Sequence, residues 1–405
     1  MRMKPRIGLA LAGGGPLGAV WEIGALCALA EAVPALDFTT LDGYVGVSAG
    51  SFIAAGLANG MTPRQLCTSF IENDGPRADL IRPDLFFRPA LREYARRLLA
   101  APGLAVQAGW DLAVKRRPVL AVAERLGRAL PAGLFSSAAL QAQLARVFSA
   151  PGRSNDFRRL QRRLVLVATD LDSGTAAPFG LPGWDHVPIS QAVAASAALP
   201  GLFPPEPING RWYVDGALKK TLHASVLLDQ GLDLLLCLNP LVPFEAGARA
   251  PHRVLGGASV RIPQLVEGGL PLVLSQTFRS LIHSRLELGL KGYADSHPDT
   301  DIVLLEPDPH DPEMFLANTF GYSQRRLLAE HAYRQTRAEL RSRRGGLAAT
   351  LARHGLALDE AVLDDARRTL LRHHRNVGTR AGRTLQRLDE VLSDLQRALD
   401  ARAAH

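Results

Sequence analysis

Ser48 stands in the pentapeptide Gly46-Val47-Ser48-Ala49-Gly50, a G-x-S-x-G pattern. A serine so placed is a nucleophile when the pattern joins a strand to a helix. Flanking glycines leave room for the sharp turn, and the turn lifts the hydroxyl to the helix N-terminus. Unpaired N–H groups and the helix dipole there favour developing negative charge. The chemistry this allows is acyl transfer. Five residues match such a pattern often by chance, so its weight depends on what accompanies it.

A second glycine run, Gly13-Gly14-Gly15-Pro16-Leu17-Gly18, also falls between an apolar run and a helical pattern. Its backbone N–H groups can converge on one concavity and form an oxyanion hole, with Gly13, Gly14, Gly15 and Ala49 as candidate donors. Losing one such donor typically costs about 10² to 10³ in rate. Gly13, Gly15 and Gly18 also spell G-x-G-x-x-G, the dinucleotide fingerprint, with Asp37 near the distance of a ribose clamp. Against that alternative, the next strand leads into Gly46–Gly50 rather than to an acidic residue.

A nucleophilic serine needs a base. Asp215-Gly216-Ala217 follows the apolar Trp212-Tyr213-Val214, and an aspartate in a low-dielectric pocket has its pKa raised, which makes it a better acceptor of a serine proton. The same dipeptide equally marks an ordinary Asp-Gly turn. Ser, Asp and His in chain order would describe a conventional triad, for which His223 and His283 are the candidates; nothing around His223 marks it as a base, and a structural role suits it better. No His-Glu-x-x-His occurs, and His373-His374 lies in an arginine-rich helical segment, so no metal site and no cofactor is expected. Cys27, Cys67 and Cys237 have no metal or redox spacing and read as small buried side chains.

The elements that must position these residues follow from periodicity. Ile7 to Ala12, Tyr44 to Val47, Leu164 to Ala168, Leu232 to Leu238 and Ile302 to Leu305 have the length and composition of buried strands. Helical spacing covers Ala19 to Ala32 and Ala49 to Ala58, and Thr62-Pro63 supplies an N-cap with a first-turn proline. Alternating strands and helices predict an α/β layered fold. From Gly75 to Ala132, Pro83, Pro89, Pro102 and Pro118 punctuate apolar helical segments, the pattern of an inserted cap. Ser136-Ser137 is the expected cap of a helix running through Phe148. After Tyr322 the pattern holds no strand, and Leu385, Leu388, Val391, Leu392, Leu395 and Leu399 describe an amphipathic helix.

Taken together, Gly13–Gly18, Gly46–Gly50, Ala168-Thr169-Asp170-Leu171, the stretch from Ala195 to Pro205 and Asp215-Gly216-Ala217 resemble, in order and spacing, a patatin-like phospholipase over residues 7–240. The resemblance implies a three-layer α/β fold with a central, mostly parallel sheet flanked by helices. It implies a Ser48–Asp215 dyad without histidine, the Gly13–Gly15 loop as oxyanion hole, and no metal in the chemistry. The substrate implied is a fatty-acyl ester of a phospholipid or lysophospholipid, cleaved through an acyl-enzyme. Many relatives place Arg or Lys where this sequence has Leu17, which leaves open a membrane-associated regulator with a weakly active site.

Length and composition fit this reading. A chain of 405 residues, 47% hydrophobic and 21% charged, is globular and long enough for a catalytic domain, expected over 1–322, plus an appendage. The appendage, 323–405, is a helical extension with 17 arginines, no lysine and 10 acidic residues, while residues 1–322 nearly balance at 30 against 29. Such a basic segment suits a peripheral membrane contact, an intramolecular lid, an oligomer interface or a solvated helical face. Tyr333 is its sole aromatic residue, so single-stranded nucleic acid is not an expected partner. Gly13-Gly14-Gly15 interrupts the first apolar run after six residues, which reads as mature protein rather than a signal peptide. No run of about 18 apolar residues occurs, and the expected location is cytoplasmic, at most peripheral to the inner membrane surface.

Overall fold

The computed structural model describes residues 4–371 apart from 75–78, 82, 115–117, 119–126, 128, 246–251, 254–258, 261–263 and 316–323. The expected helix around Leu385–Leu399, His373-His374 and part of the cap-like insertion lie outside the described residues.

Runs of Val, Leu and Ile form strands that are covered on both faces, and these make the sheet. Its eight strands are β1 (Ile7–Leu11), β2 (Gly43–Val47), β3 (Arg163–Asp170), β4 (Ala176–Phe179), β5 (Glu206–Ile208), β6 (Arg211–Asp215), β7 (Leu234–Leu238) and β10 (Asp301–Leu305). β8 (His252–Arg253) and β9 (Ser259–Val260) form a separate antiparallel ribbon. The order is β10-β7-β1-β2-β3-β6-β5, with β4 also on β3. All pairings from β10 to β3 are parallel, whereas β3-β4, β3-β6 and β5-β6 are antiparallel. The expected mostly parallel sheet is present, with an antiparallel side that the sequence pattern did not mark.

Alternate side chains divide the core. On β1, Leu9 and Leu11 join one cluster with α1 (Gly15–Ala32), α2 (Ala49–Ala58) and Tyr333. Ala10, with Val45, Val47, Val165 and Val167 of the neighbouring strands, faces the other cluster, which Leu286 of a long helix closes. Helices therefore cover both faces, giving three layers. Between α2 and that long helix come α3 (Leu91–Ala113), α4 (Ala138–Phe148) and α5 (Ile189–Ser196); the long helix itself is α6 (Gly269–Ser296), and α7 (Arg325–Ser342) packs on α1.

Two local expectations are corrected. Pro102 does not punctuate the insertion but lies inside α3, whose 23 residues run through it. Ser137 occupies the N-cap position of α4 without capping it, because its hydroxyl donates to Glu206 at 3.2 Å; Ser136 Oγ instead accepts the Ala138 N–H. Among the described arginines of the basic segment, Arg326 donates to the Glu72 carbonyl, Arg337 to the Tyr333 hydroxyl, Arg353 to Asp301 and Arg368 to Glu31. Thr62 forms the expected cap, as a reciprocal capping box with Gln65.

Candidate active site

β2 ends at Val47 and α2 begins at Ala49, so Ser48 is the whole of the strand-to-helix turn. Its backbone sits at φ 52°, ψ −120°, a sparsely populated region for a residue with a Cβ, which costs of order 1–3 kcal/mol and persists only when the surroundings impose it. They do so at several points. The Ser48 N–H donates to Ser196 Oγ at 2.8 Å, and that hydroxyl donates to the Val167 carbonyl at 2.6 Å. On the helical side, Ser51 Oγ donates to the Ser48 carbonyl. Gly50 donates its N–H to the Ala12 carbonyl at 3.1 Å, and a Cβ there would meet that oxygen at 2.6 Å, so the approach of α2 to the end of β1 requires glycine.

Asp215 closes β6. The register sets Asp215 opposite Ala168 on β3 and Val47 opposite Val167 on the same strand, so a single strand separates the two candidate residues. The Asp215 carboxylate is buried and accepts the Ala217 N–H at 2.9 Å. Burial pushes its pKa up to about 6, a rise that the nearby Ser48 hydroxyl and the Ala217 N–H only partly oppose. A carboxylate at this pKa accepts a proton more readily than an exposed one and is still ionised at neutral pH.

The glycine loop stands against the serine. A Cβ on Gly13 would lie 3.0 Å from Ser48 Cβ and 3.2 Å from Ala217 Cβ. Gly15 and Ala49 line the same cavity as Ser48, whereas Gly14 backs onto Pro240. Neither α1 nor α2 has a side-chain cap, so two helix N-termini meet at the serine with their first-turn N–H groups free of capping side chains. The cavity is narrow, about 80 Å³. Apart from Ser48 and Ser137, its lining is apolar or glycine, with Phe52, Phe70, Leu140, Leu144, Val193 and Phe203 as its larger walls.

The other sequence candidates lie elsewhere. His223 is buried, its Nε2 is 3.3 Å from the Gly216 carbonyl, and burial lowers its pKa to about 4. His283 faces Glu306 and Glu287 on α6. Asp37 is held in a turn before β2 by the Thr39 N–H and hydroxyl, at the edge of the sheet opposite the glycine loop, so it cannot clamp a ribose there. This removes the dinucleotide alternative. Leu17 is buried in a pocket with Pro240, Val242 and Phe315. The three cysteines are buried thiols without a disulfide. Ser196 was not singled out from sequence: its role depends on a contact 148 residues away.

A family model described as patatin-like phospholipase matches residues 9–228, more than half of the chain. The chain belongs to the patatin-like phospholipase family. Membership places it among lipid-hydrolysing esterases. Among solved structures, this patatin-like chain is similar to VipD from Legionella pneumophila, with 16% identity over 81% of this chain and 67% of that one, at a TM-score of 0.34. It is also similar to the type III effector protein ExoU, with 16% identity over 84% of this chain and 53% of that one, TM-score 0.34. For ExoU of Pseudomonas aeruginosa in complex with SpcU the values are 18%, 71%, 53% and 0.28. The chain thus spans about two thirds of VipD and about half of ExoU.

Proposed function

We propose that the protein is a serine acyl hydrolase that cleaves fatty-acyl esters of phospholipids or lysophospholipids with Ser48 and Asp215. The observation that carries the reading is that a buried Asp215 carboxylate, its pKa raised, stands one strand away from Ser48, which lines an apolar cavity. Ser48 Oγ attacks the ester carbonyl carbon while Asp215 takes its proton. Negative charge on the carbonyl oxygen is met by N–H groups of the Gly13–Gly15 loop and Ala49, aided by the N-termini of α1 and α2. Collapse releases the alcohol, which leaves with the proton held by Asp215. Water, deprotonated by the same carboxylate, then cleaves the acyl-enzyme. The acyl chain occupies the apolar cavity, where burial of each CH₂ stabilises the complex by about 0.8 kcal/mol.

Hydrolysis of p-nitrophenyl acyl esters tests this directly. Wild type is expected to hydrolyse them, and Ser48→Ala and Asp215→Ala are expected to lose that activity while remaining folded. An inert wild type, or a Ser48→Ala variant as active as wild type, would sink the assignment and favour a weakly active regulatory protein.

A further inference from the structure

We propose that the outward apolar face of α3 is the surface through which the protein docks on a phospholipid bilayer; the proposal rests on the lipid-ester reading of the Ser48 site. Leu91, Leu98, Leu99, Val106 and Trp110 recur at helical spacing along α3 and are 67%, 75%, 84%, 73% and 59% exposed. Ala108 and Asp111, on the opposite side, are buried. This helix is amphipathic in the reverse sense to one packed on a core: its apolar stripe faces away from the protein. Contiguous exposed apolar surface of this kind marks an interaction site.

The face is continuous with the mouth of the acyl cavity. The Ala90 N–H and the Tyr94 hydroxyl both donate to the Leu134 carbonyl, fixing the start of α3. Leu134 and Phe135 in turn donate to the carbonyls of Gly201 and Leu202. Leu199, Leu202 and Phe203 line the cavity, and Leu134 and Leu199 are themselves exposed beside it. A surface that takes the α3 stripe therefore also meets the opening through which an acyl chain enters.

The chemistry favours lipid as the occupant. Leucine and valine suit the acyl boundary, and tryptophan favours the level of the headgroups. Among the described residues no helix is long and apolar enough to cross a membrane, so the contact is superficial.

The test is sedimentation of the full chain with vesicles of equal parts phosphatidylcholine and phosphatidylglycerol, paired with hydrolysis of soluble p-nitrophenyl butyrate. Wild type is expected to sediment. Replacing Leu98, Leu99 and Val106 together by serine should weaken partitioning at least about tenfold and leave butyrate hydrolysis unchanged. Wild type that stays in the supernatant, or a triple variant that sediments like wild type, would overturn the proposal. So would loss of sedimentation only in Leu274→Ser/Phe278→Ser, which would move the contact to α6. A wild-type dimer dissociated by the triple variant without vesicles would make the face a contact between copies instead. Wild type that sediments but hydrolyses no ester would sink the enzyme reading and uphold the docking surface.

Discussion

Ser196 holds Ser48 by its backbone: the Ser48 N–H donates to Ser196 Oγ at 2.8 Å while the same hydroxyl donates to the Val167 carbonyl at 2.6 Å. The bond ties the last turn of α5 to the turn after β2 and helps hold the left-handed conformation of Ser48. Ser196→Ala leaves a buried N–H and a buried carbonyl without this partner, at a cost of about 1–3 kcal/mol. Thermal denaturation should show that loss. Steady-state kinetics should show kcat falling by at least about tenfold with little change in KM, because the nucleophile is misplaced while the acyl cavity is untouched.

Gly13 offers a cleaner separation of fold from chemistry. An added Cβ would sit 3.0 Å from Ser48 Cβ and 3.2 Å from Ala217 Cβ, close enough to displace both by a few tenths of an ångström but not to strike backbone. Gly13→Ala should therefore fold, with a melting temperature near that of wild type. Its kcat should drop by about 10² or more, the scale of a misplaced reacting group, because the added methyl displaces Ser48. Full activity in a folded Gly13→Ala protein would remove this loop from the mechanism.

Ala197 lines the acyl cavity and is only partly buried, so a larger side chain there can enter the cavity without overfilling the core. Ala197→Leu should shorten the preferred acyl chain. The ratio of kcat/KM for a dodecanoyl over a butanoyl p-nitrophenyl ester is expected to fall by about tenfold, the scale of one or two methylenes lost from an apolar pocket. An unchanged ratio would place the acyl chain elsewhere.

The parallel half of the sheet was legible because β1, β3 and β7 carry apolar runs buried on both faces, and β2 and β10 are short apolar stretches beside them. Its antiparallel half was not. β4 reads Ala-Ala-Pro-Phe and β5 reads Glu-Pro-Ile, so proline and brevity hide strands that exist through their pairing with β3 and β6. Ser48, Asp215 and the glycine loop sit in motifs that are each common alone, and they stood out only through the order and spacing of those motifs together. Ser196 and the walls of the acyl cavity did not, since a hydroxyl or a phenylalanine acquires its role only from distant contacts. The outward turn of α3 was hidden for another reason: periodicity identifies an apolar face but not the direction in which it points.

Asp215 and His223, both buried, make opposite contributions to stability with pH. Asp215 has its pKa raised from 3.8 to about 6 by burial, so the folded state binds more protons than the unfolded state between those values. Its contribution is fully present below about pH 4 and is lost, by about 3 kcal/mol, as pH rises through 6. His223 has its pKa lowered from 6.5 to about 4, again chiefly by burial, so the unfolded state binds more protons over nearly the same window. Its contribution is present above about pH 6.5 and is lost, by about 3 kcal/mol, as pH falls through 4. The two nearly cancel, and wild-type stability should change little from these groups between pH 4 and 6. Denaturant titrations across that range should separate them: Asp215→Asn should gain stability as pH rises, and His223→Gln should lose it. Activity follows Asp215 alone, because only its ionised form accepts the Ser48 proton, so kcat/KM should rise through about pH 6 and stay high above it. A profile that instead keeps its inflection in Asp215→Asn at residual activity would assign the titrating base to another group.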